Sequence, residues 1–414
     1  MMKRTKLFLI LLAAVMLLSG CRGETDPGET TDGTAPVETV TIPGTEDRAV
    51  LGDYLEITPH GEHDVRMLFL NVGKADAIFL RIGETGWMID AGTVSALPML
   101  EAGMNILELS RLDGIFITHM DSDHVGGLRG FLSLYETDAI YTSTISADWN
   151  RVEAVRGEIP RVALDPGAVV KAGESVWFEV LGPIRYNPRD DNNSLVLRLR
   201  VNGSTSLFCG DMMTDEEKTL MYAGMNLDCD LLKVGHHGKK DATSSSFLAE
   251  TSPSVALICA DKEEESDSAH KSVIKALNAA GAEVYITENT PVAYDVTVTP
   301  GGKITVEDVS LPEPPDVRFV SVSKSDQLVV LENAGDAQAD LSGWWILSET
   351  GNDLFRIPDG TVLEAGGTLS VGCTDTSGTP DLRWNEGKVW HKTKEDRAVL
   401  IDPWGAEVDF MVSQ

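Results

Sequence analysis

The length, composition and charge of the chain set the first limits on what it can be. Its 414 residues exceed what one hydrophobic core usually organises, so we expect two folded domains together with linker segments. The 65 acidic residues outnumber the 34 basic ones and leave a formal net charge of -31. Such a surface repels polyanions at long range, which argues against tight, nonspecific DNA binding except where a local basic strip overrides the average.

The N-terminal segment has the pattern of an export signal. Three basic residues within the first six precede an apolar run over residues 7–18, which is too short to span a bilayer comfortably. The run ends in Leu18-Ser19-Gly20-Cys21, which resembles the lipobox of bacterial lipoproteins. This resemblance implies that residues 1–21 are a lipoprotein signal peptide and that lipid on Cys21 anchors the protein at the extracytoplasmic face of the cell membrane. A plain secretory signal and an uncleaved anchor are the alternatives.

The composition changes again at residue 63. Residues 22–62 are rich in Gly, Thr, Pro, Asp and Glu and lack apolar periodicity, which predicts a disordered acidic linker. From residue 63 to residue 309, which we call the N-terminal domain, strand and helix patterns alternate as in an α/β fold. Strands are predicted at 67–70, 77–80, 87–92, 114–118, 194–201, 206–209 and 231–234, and helices at 97–109, 215–223 and 272–280.

A second pattern begins after a short proline-rich linker over residues 310–315. In residues 316–414, which we call the C-terminal domain, short alternating strands are separated by Gly, Asn and Asp turns. This pattern predicts a small β-sandwich. Its strands are predicted at 327–332, 343–347, 368–371, 398–401 and 407–410.

Candidate metal ligands follow several of the predicted strands. Four of them lie within six residues, directly after the strand at 114–118, and they are His119, Asp121, Asp123 and His124. One tight loop lets four ligands converge on a metal with little ordering cost, although a solvated acidic turn is the alternative. Three more follow later strands, and they are Asp211, His236 and His237. Imidazole and carboxylate are the ligands that hydrolytic Zn²⁺ or Mn²⁺ sites use, so the combined placement favours a metal site.

These stretches resemble the metallo-β-lactamase superfamily, and within it the extracytoplasmic domain of ComEC-type competence proteins. The segments that carry the resemblance are 69–78, 88–92, 118–127, 192–197, 209–211, 233–238 and 269–271. They span the whole N-terminal domain, and they imply an α/β fold, the αββα metallo-β-lactamase sandwich, with a metal site at one sheet edge.

The resemblance also implies which residues hold two divalent metal ions, Zn or Mn. His119 and Asp121 would hold the first metal, Asp123 and His124 the second, and Asp211 would bridge both. Either His236 or His237 would complete the second site. Asp121 stands where many members have histidine, a substitution shared by the ComEC-like group, and its harder oxygen ligand shifts the first site toward Mn²⁺ or Mg²⁺.

Two departures from the family pattern bear on this site. The histidine that usually lies between the first motif and the bridging aspartate is missing, and Asn192 and Asn193 stand in its neighbourhood. We therefore expect the first metal to be weakly held. The family's Gly-Gln-Gly-Asp turn is replaced by Gly73-Lys74-Ala75-Asp76, without an evident consequence.

The expected activity is that of an exported metal-dependent phosphodiesterase or nuclease that uses a metal-activated hydroxide. Asp211 would position the hydroxide, and Asp123 would orient it or receive its proton. His270 is a third catalytic candidate, and Asn193 and Lys240 are candidates for substrate binding, each with a surface role as the alternative. Two other functions stay open: hydrolysis of a small ester, lactone or cell-wall phosphodiester, and a degenerate, non-enzymatic binding lipoprotein.

The C-terminal domain resembles the lamin-tail domain, an all-β immunoglobulin-like sandwich. The residues that carry this resemblance lie at 329–335, 340–344, 355–360 and 402–405. No cluster of acid, base and nucleophile stands out there. We expect this domain to attach to an extracellular or surface partner, while nucleic acid or another phosphodiester is the expected substrate of the N-terminal domain.

Overall fold

The computed structural model describes residues 40–42, 45–50, 64–146, 148–173, 176–384 and 387–414. The proposed signal peptide, its Cys21 and most of the proposed linker lie outside these ranges. Among the described residues, no helix combines the length and the apolar character needed to cross a membrane.

The N-terminal domain alternates strands and helices. Its strands are β1 (Val40–Ile42), β2 (Thr45–Val50), β3 (Val65–Leu70), β4 (Ala77–Ile82), β5 (Thr85–Ala91), β6 (Gly114–Ile117), β7 (Ile140–Ser143), β8 (Arg161–Leu164), β9 (Ala168–Gly173), β10 (Val176–Gly182), β11 (Val196–Val201), β12 (Ser204–Phe208), β13 (Leu231–Lys233), β14 (Val255–Ile258), β15 (Glu283–Ile286), β16 (Ala293–Val298) and β17 (Ile304–Asp308). Its helices are α1 (Leu97–Ile106), α2 (Ser122–Val125), α3 (Leu128–Leu132), α4 (Asn150–Glu153), α5 (Thr214–Tyr222), α6 (Ser245–Thr251) and α7 (Lys271–Ala280).

The strands of this domain form two large sheets that stack face to face. One sheet has the order β17-β16-β3-β4-β5-β6-β7-β8, and the other has the order β1-β2-β9-β10-β11-β12-β13-β14-β15. Aromatic side chains from both sheets meet in the core between them. Phe69 stacks on Phe208 with ring centroids 6.4 Å apart, and Phe116 contacts Phe178 at 4.8 Å.

Helices cover the outer face of each sheet. On the first sheet, Leu100 of α1 and Phe131 of α3 pack in one buried cluster with Leu68 of β3. On the second sheet, Leu220 of α5 and Leu277 of α7 pack in another cluster with strand residues of β11 to β14. These four layers are the αββα sandwich that the resemblance implies, so the predicted fold class is confirmed.

Strand β3 illustrates why the sequence of this domain carries long apolar runs. Met67 and Phe69 face the core between the sheets, whereas Leu68 and Leu70 face the helices. Successive side chains of a strand point to opposite faces, and both faces are covered here. Continuous apolar segments, rather than alternating ones, are therefore what a central strand of this sandwich requires.

One prediction about the linker is wrong in part. Residues 22–62 are predicted to be disordered, yet β1 and β2 lie within that segment. Strand β2 pairs antiparallel with β9, with Arg48 opposite Val170. Without β2, β9 would present a row of unpaired backbone groups at the edge of the sheet, and an added strand satisfies them. The segment's composition does not reveal this partner.

In the described residues of the C-terminal domain, strands are the only regular elements. They are β18 (Val317–Ser323), β19 (Leu328–Asn333), β20 (Ala339–Asp340), β21 (Trp345–Ser348), β22 (Asp353–Arg356), β23 (Val362–Leu363), β24 (Thr368–Gly372), β25 (Leu382–Arg383), β26 (Arg397–Ile401) and β27 (Glu407–Val412). Four-stranded sheets with the orders β18-β19-β24-β25 and β22-β21-β26-β27 enclose a core that contains Trp344, Trp384 and Trp390. The predicted β-sandwich is confirmed, and each of its five predicted strands lies within two residues of an observed one.

The two domains contact each other through helix α1. The Glu101 carboxylate is only 4% exposed, and it accepts hydrogen bonds from the Arg356 guanidinium and from the Trp345 indole N–H at 2.7 Å. Nearby, the Asn105 amide donates to the Pro403 carbonyl at 2.7 Å. A carboxylate buried this deeply requires such donors, so the contact joins α1 firmly to the C-terminal domain.

Candidate metal centre

The candidate ligands lie where parallel strands of both sheets end. His119 follows β6, which is parallel to β5 and β7. Asp211 follows β12, and His237 follows β13, which is parallel to β12. The carboxyl ends of parallel strands meet at one edge of a sheet, and in α/β folds that edge is the usual place for a ligand. Residues far apart in the chain therefore face one another across the sandwich.

The first group of ligand atoms comes from Asp123, His124, Asp211 and His237. One side-chain atom from each lies within 4.8 Å of all the others. The Asp211 carboxylate lies between two imidazoles, 3.3 Å from His124 Nε2 and 3.2 Å from His237 Nε2. His237 Nε2 is also 3.5 Å from Asp123 Oδ2. We call these four residues the inner group.

A second set of ligand atoms adjoins the inner group on its more exposed side. His119, Asp121 and Asp191 form one cluster within 4.8 Å, and Asp191, Asp211 and His236 form another. His119 Nε2 lies 3.9 Å from Asp121 Oδ2, and His236 Nε2 lies 4.0 Å from oxygens of both Asp191 and Asp211. We call His119, Asp121, Asp191 and His236 the outer group. Asp211 belongs to clusters on both sides, which is the position of a bridging ligand.

The four histidines share one orientation. In each of them Nδ1 has a hydrogen-bond partner, which leaves Nε2 directed at the cluster. The partners are the Thr118 hydroxyl for His119, Asp90 for His124, Asp241 for His236 and the Cys259 carbonyl for His237, at 3.2, 2.8, 2.9 and 2.9 Å. A carbonyl can only accept, so the neutral His237 ring carries its proton on Nδ1 and a lone pair on Nε2. This is the arrangement found in metal-binding histidines.

Several polar atoms in the cluster are buried without a hydrogen-bond partner. They are the Nε2 atoms of His119, His124 and His237 and Oδ1 of Asp211. Buried polar atoms are almost always satisfied, because leaving one unpaired costs free energy. Here the unsatisfied atoms belong to neighbouring ligand-type side chains and point at one another. A divalent cation would satisfy all of them, so these residues fit the metal ions that the resemblance implies.

Local electrostatics support the same conclusion. Burial, with the neighbouring His124, lowers the pKa of His119 to about 3, so its imidazole is neutral and free to donate a lone pair. Burial alone would raise the pKa of Asp211, but His237 and His124 hold it well below its ordinary value. Burial would likewise lower the pKa of His124, yet Asp211 and Asp90 raise it. The carboxylates therefore attract positive charge to this position.

Two lysines accompany the cluster. Lys233 is fully buried beneath it, where its ammonium pairs with Asp76 and donates to the Gly210 carbonyl at 3.1 Å. Lys74 lies beside the cluster, with Nζ 2.5 Å from Asp123 Oδ2. Lys74 is one of the two residues that depart from the family's turn, so that departure places a cation next to a candidate metal ligand.

The structure brings all seven predicted metal ligands together. The other predicted site residues lie in three different environments. Asn193 is fully buried, and both polar atoms of its amide have partners in its own loop, at Asn187 and Asp190. His270 caps α7, where Nδ1 accepts from the Ser272 N–H, and it is not part of any ligand cluster. Lys240 is exposed.

Two residues of the site were missed by the sequence reasoning. Asp90 accepts hydrogen bonds from the Thr118 N–H and hydroxyl, both at 2.7 Å, and thereby orients His124. It lies in a segment that carries the family resemblance. Asp191 directly precedes the two asparagines noted where a histidine is missing. The signal for Asp191 in the sequence is a carboxylate near the position where the family has a histidine, because an oxygen ligand can take the place of an imidazole.

Comparisons with known proteins agree with the fold of both domains. Residues 70–261 match the metallo-beta-lactamase superfamily, and residues 297–414 match the lamin tail domain. The second match begins within β16, which the structure pairs with β3 in the first sheet.

The curated relatives are longer proteins. ComE operon protein 3 of Bacillus subtilis is 30% identical over 190 residues, which cover 44% of this chain and 24% of that protein. Competence protein ComA of Neisseria gonorrhoeae is 29% identical over 200 residues, 47% of this chain and 27% of that protein. The chain thus spans only about a quarter of the length of these relatives.

Among solved structures, the metallo-beta-lactamase fold protein YhfI from Bacillus subtilis is 13% identical, with a TM-score of 0.40. The alignment covers 59% of this chain and 100% of that one. The chain therefore carries a metallo-beta-lactamase domain that is similar to ComEC-type competence proteins, followed by a C-terminal lamin tail domain.

Proposed function

We propose that this protein is a metal-dependent phosphodiesterase whose substrate is nucleic acid. The observation that carries the proposal is the convergence of unpartnered, buried ligand atoms: three histidine Nε2 atoms and one oxygen of Asp211. Two adjoining ligand groups that share a carboxylate suit the hydrolysis of phosphodiesters, which commonly uses two neighbouring metal ions.

Divalent cations held here, Zn²⁺ or Mn²⁺, would polarise a phosphoryl oxygen and lower the pKa of the attacking water. The chain's own residues supply the rest of the arrangement. Asp211 of the inner group also lies in one cluster with Asp191 and His236 of the outer group, so it links the two groups. Asp90 fixes the ring of His124 from behind. Asp123 Oδ2 faces His237 Nε2 and also pairs with Lys74 Nζ, so Lys74 restrains the carboxylate that would orient the nucleophile.

The rim of the site carries positive charge despite the acidity of the chain. Lys74 Nζ and Lys239 Nζ both lie near Glu265, at 3.6 and 2.7 Å. An incoming phosphate can replace that carboxylate as the partner of the two ammonium groups, since both are anionic oxygen acceptors. Two curated relatives, Competence protein ComA of Neisseria gonorrhoeae and Recombination protein 2 of Haemophilus influenzae, lend support to a nucleic-acid substrate.

A second candidate function is hydrolysis of a small ester, lactone or cell-wall phosphodiester. The net charge of -31 favours it, because a strongly acidic surface slows the approach of a long polyanion. A small substrate carries less charge and meets less repulsion. The metal chemistry would be the same, so the two candidates differ only in what reaches the site.

A substrate panel tests both candidates. Purified protein loaded with Mn²⁺ or Zn²⁺ is offered single- and double-stranded DNA, RNA, bis(p-nitrophenyl) phosphate and a set of esters and lactones. We expect cleavage of nucleic acid and of the chromogenic phosphodiester, and loss of at least 99% of it in Asp211→Ala. Asp215→Ala, an exposed carboxylate on α5, is the matched control and should keep full activity. Cleavage of esters alone supports the second candidate, and metal-loaded protein without any activity contradicts both.

We also propose that the protein acts outside the cytoplasm, attached to the membrane through lipid on Cys21. This proposal rests on the lipobox-like sequence. Fractionation of cells that express the wild type and Cys21→Ser tests it. The wild type should sediment with membranes, and the variant should not; equal sedimentation of both contradicts the lipid anchor.

A further inference from the structure

The outer group contains more ligands than the resemblance implies. The family pattern leaves this position short of one histidine, which predicts a weak site. The structure instead places Asp191 in one cluster with His119 and Asp121 and in another with His236. His119 Nε2 is fully buried, has no hydrogen-bond partner and points into the outer group. An unsatisfied imidazole beside several carboxylates indicates a cation position.

A rigid turn holds Asp191 in place. The 3₁₀ segment Asp190–Asn193 joins β10 to β11, and its two asparagines are buried. Oδ1 of Asn192 accepts from the backbone N–H groups of Met213 and Glu216, at 3.1 and 3.3 Å. The Asn193 amide closes the turn on itself through Asn187. The two asparagines near the missing histidine are therefore scaffold, and the carboxylate beside them is the ligand-type group that reaches the site.

The backbone separates the two adjacent histidines. His236 and His237 both have positive φ angles, 48° and 52°. Residues other than glycine rarely adopt this region, and such strain is found where a particular side-chain direction is needed. As a result, the His237 ring reaches Asp123 and Asp211 of the inner group, while His236 reaches Asp191. Asp241 holds the His236 ring from behind at 2.9 Å.

We propose that Asp191 and His236 complete the first metal position, so that the adjacent histidines bind different metals. This inference rests on the proposed metal-dependent function and specifies how the chain compensates for the absent histidine. The first position then comprises His119, Asp121, Asp191 and His236, with Asp211 shared. Its three carboxylates make it richer in oxygen than the inner group, which favours Mn²⁺ over Zn²⁺ at that position. The first metal is thus bound firmly, contrary to the weak binding expected from the sequence.

Metal titration of the full chain, stripped of metal, tests the inference without any activity measurement. Calorimetry with Mn²⁺ should show two equivalents in the wild type. Asp191→Asn and His236→Gln should each weaken one equivalent at least tenfold and leave the other unchanged. His237→Gln should weaken the equivalent that these two variants spare. Asp215→Asn removes an equal charge from exposed α5 and should change neither.

A replacement that restores the family's residue type gives a second readout. Asp191→His keeps a ligand at this position but exchanges oxygen for nitrogen. It should keep two equivalents and raise the Zn²⁺-to-Mn²⁺ affinity ratio of the first position at least tenfold. Circular dichroism of the metal-free variants checks that each one is folded. If Asp191→His is folded and keeps both equivalents, replacement of Asp191 does not collapse the turn, and the loss of metal affinity in Asp191→Asn has another cause.

The possible failures are distinguishable. Wild-type protein that binds neither Mn²⁺ nor Zn²⁺ overturns the proposed function and the inference with it. Two wild-type equivalents that survive unchanged in both Asp191→Asn and His236→Gln overturn the inference alone. A single wild-type equivalent lost only in His237→Gln also overturns it, because the first position would then be empty.

Discussion

The contact of Glu101 with the lamin tail domain is expected to contribute measurably to stability. Its carboxylate accepts from Arg356 Nε with both oxygens at 3.0 Å and from Nη2 at 2.8 Å, and the Trp345 indole N–H adds a fourth contact. In Glu101→Ala the guanidinium and the indole lose their common acceptor. The side chain of Arg356 is 26% exposed and keeps Asp359 at 2.9 Å, so water and that carboxylate recover part of the loss.

The magnitude follows from this geometry. Removing one partner of a fully buried ion pair costs about 3–5 kcal/mol, and the exposure of Arg356 reduces this to about 2–3 kcal/mol. Because Glu101→Ala and Arg356→Leu both remove the Glu101–Arg356 ion pair, the two losses should not add. The coupling free energy in a double-mutant cycle should be about 1.5–2 kcal/mol.

Urea unfolding followed by tryptophan fluorescence measures these values, since Trp345 itself lies in the contact. Glu332→Ala is the matched control, because Glu332 pairs with Arg318 on the exposed surface of the same domain. That control should cost about 0–0.5 kcal/mol. If Glu101→Ala costs no more than Glu332→Ala, or if the coupling stays below about 0.5 kcal/mol, the docking of the domains through this ion pair is refuted.

Three further predictions concern buried ionisable groups. Asp90→Ala removes the acceptor that orients His124, so the affinity for Mn²⁺ measured by calorimetry should fall about 10- to 100-fold, and an unchanged affinity would disprove the orienting role. Lys233→Met leaves Asp76 buried without its cation and should cost about 3–5 kcal/mol in urea unfolding, most of it regained with Asp76→Asn; a single variant as stable as the double would contradict this. Burial raises the pKa of Glu216 from 4.5 to about 7, so the folded state binds its proton more tightly than the unfolded state and stability falls as pH rises from 4.5 to about 7. Glu216→Gln should shrink the fall in melting temperature between pH 5 and pH 8, and an unchanged difference would refute this assignment.

The sequence by itself determined the fold class, the lamin tail strands and most of the candidate metal ligands. Local sequence patterns encode these features. A central strand such as β3, covered on both faces, is apolar at every position except Arg66, and the candidate ligands follow the strands that deliver them. Position after an apolar run therefore identifies three candidate ligands, His119, Asp211 and His237. The strand boundaries of the sandwich follow equally from alternation and turn residues.

Only the tertiary structure decided which of these residues face one another. Asp191 is a ligand candidate because the turn that contains it, held by two buried asparagines, places its carboxylate near His119. Asn193, predicted to bind substrate, instead uses its amide to close that turn. The pairing of β2 with β9 likewise depends on an edge that only the completed sheet presents.

The different ring directions of His236 and His237 show most clearly why the tertiary structure is needed to assign their roles. The two residues are chemically identical neighbours, and no periodicity distinguishes them. Their positive φ angles turn one ring toward Asp123 and the other toward Asp191. Such angles are imposed by contacts between segments distant in the chain, such as the hydrogen bond from the His236 N–H to the Gly210 carbonyl. Composition and spacing encode which side chains are present at a strand end, whereas their directions are set by the packed backbone around them.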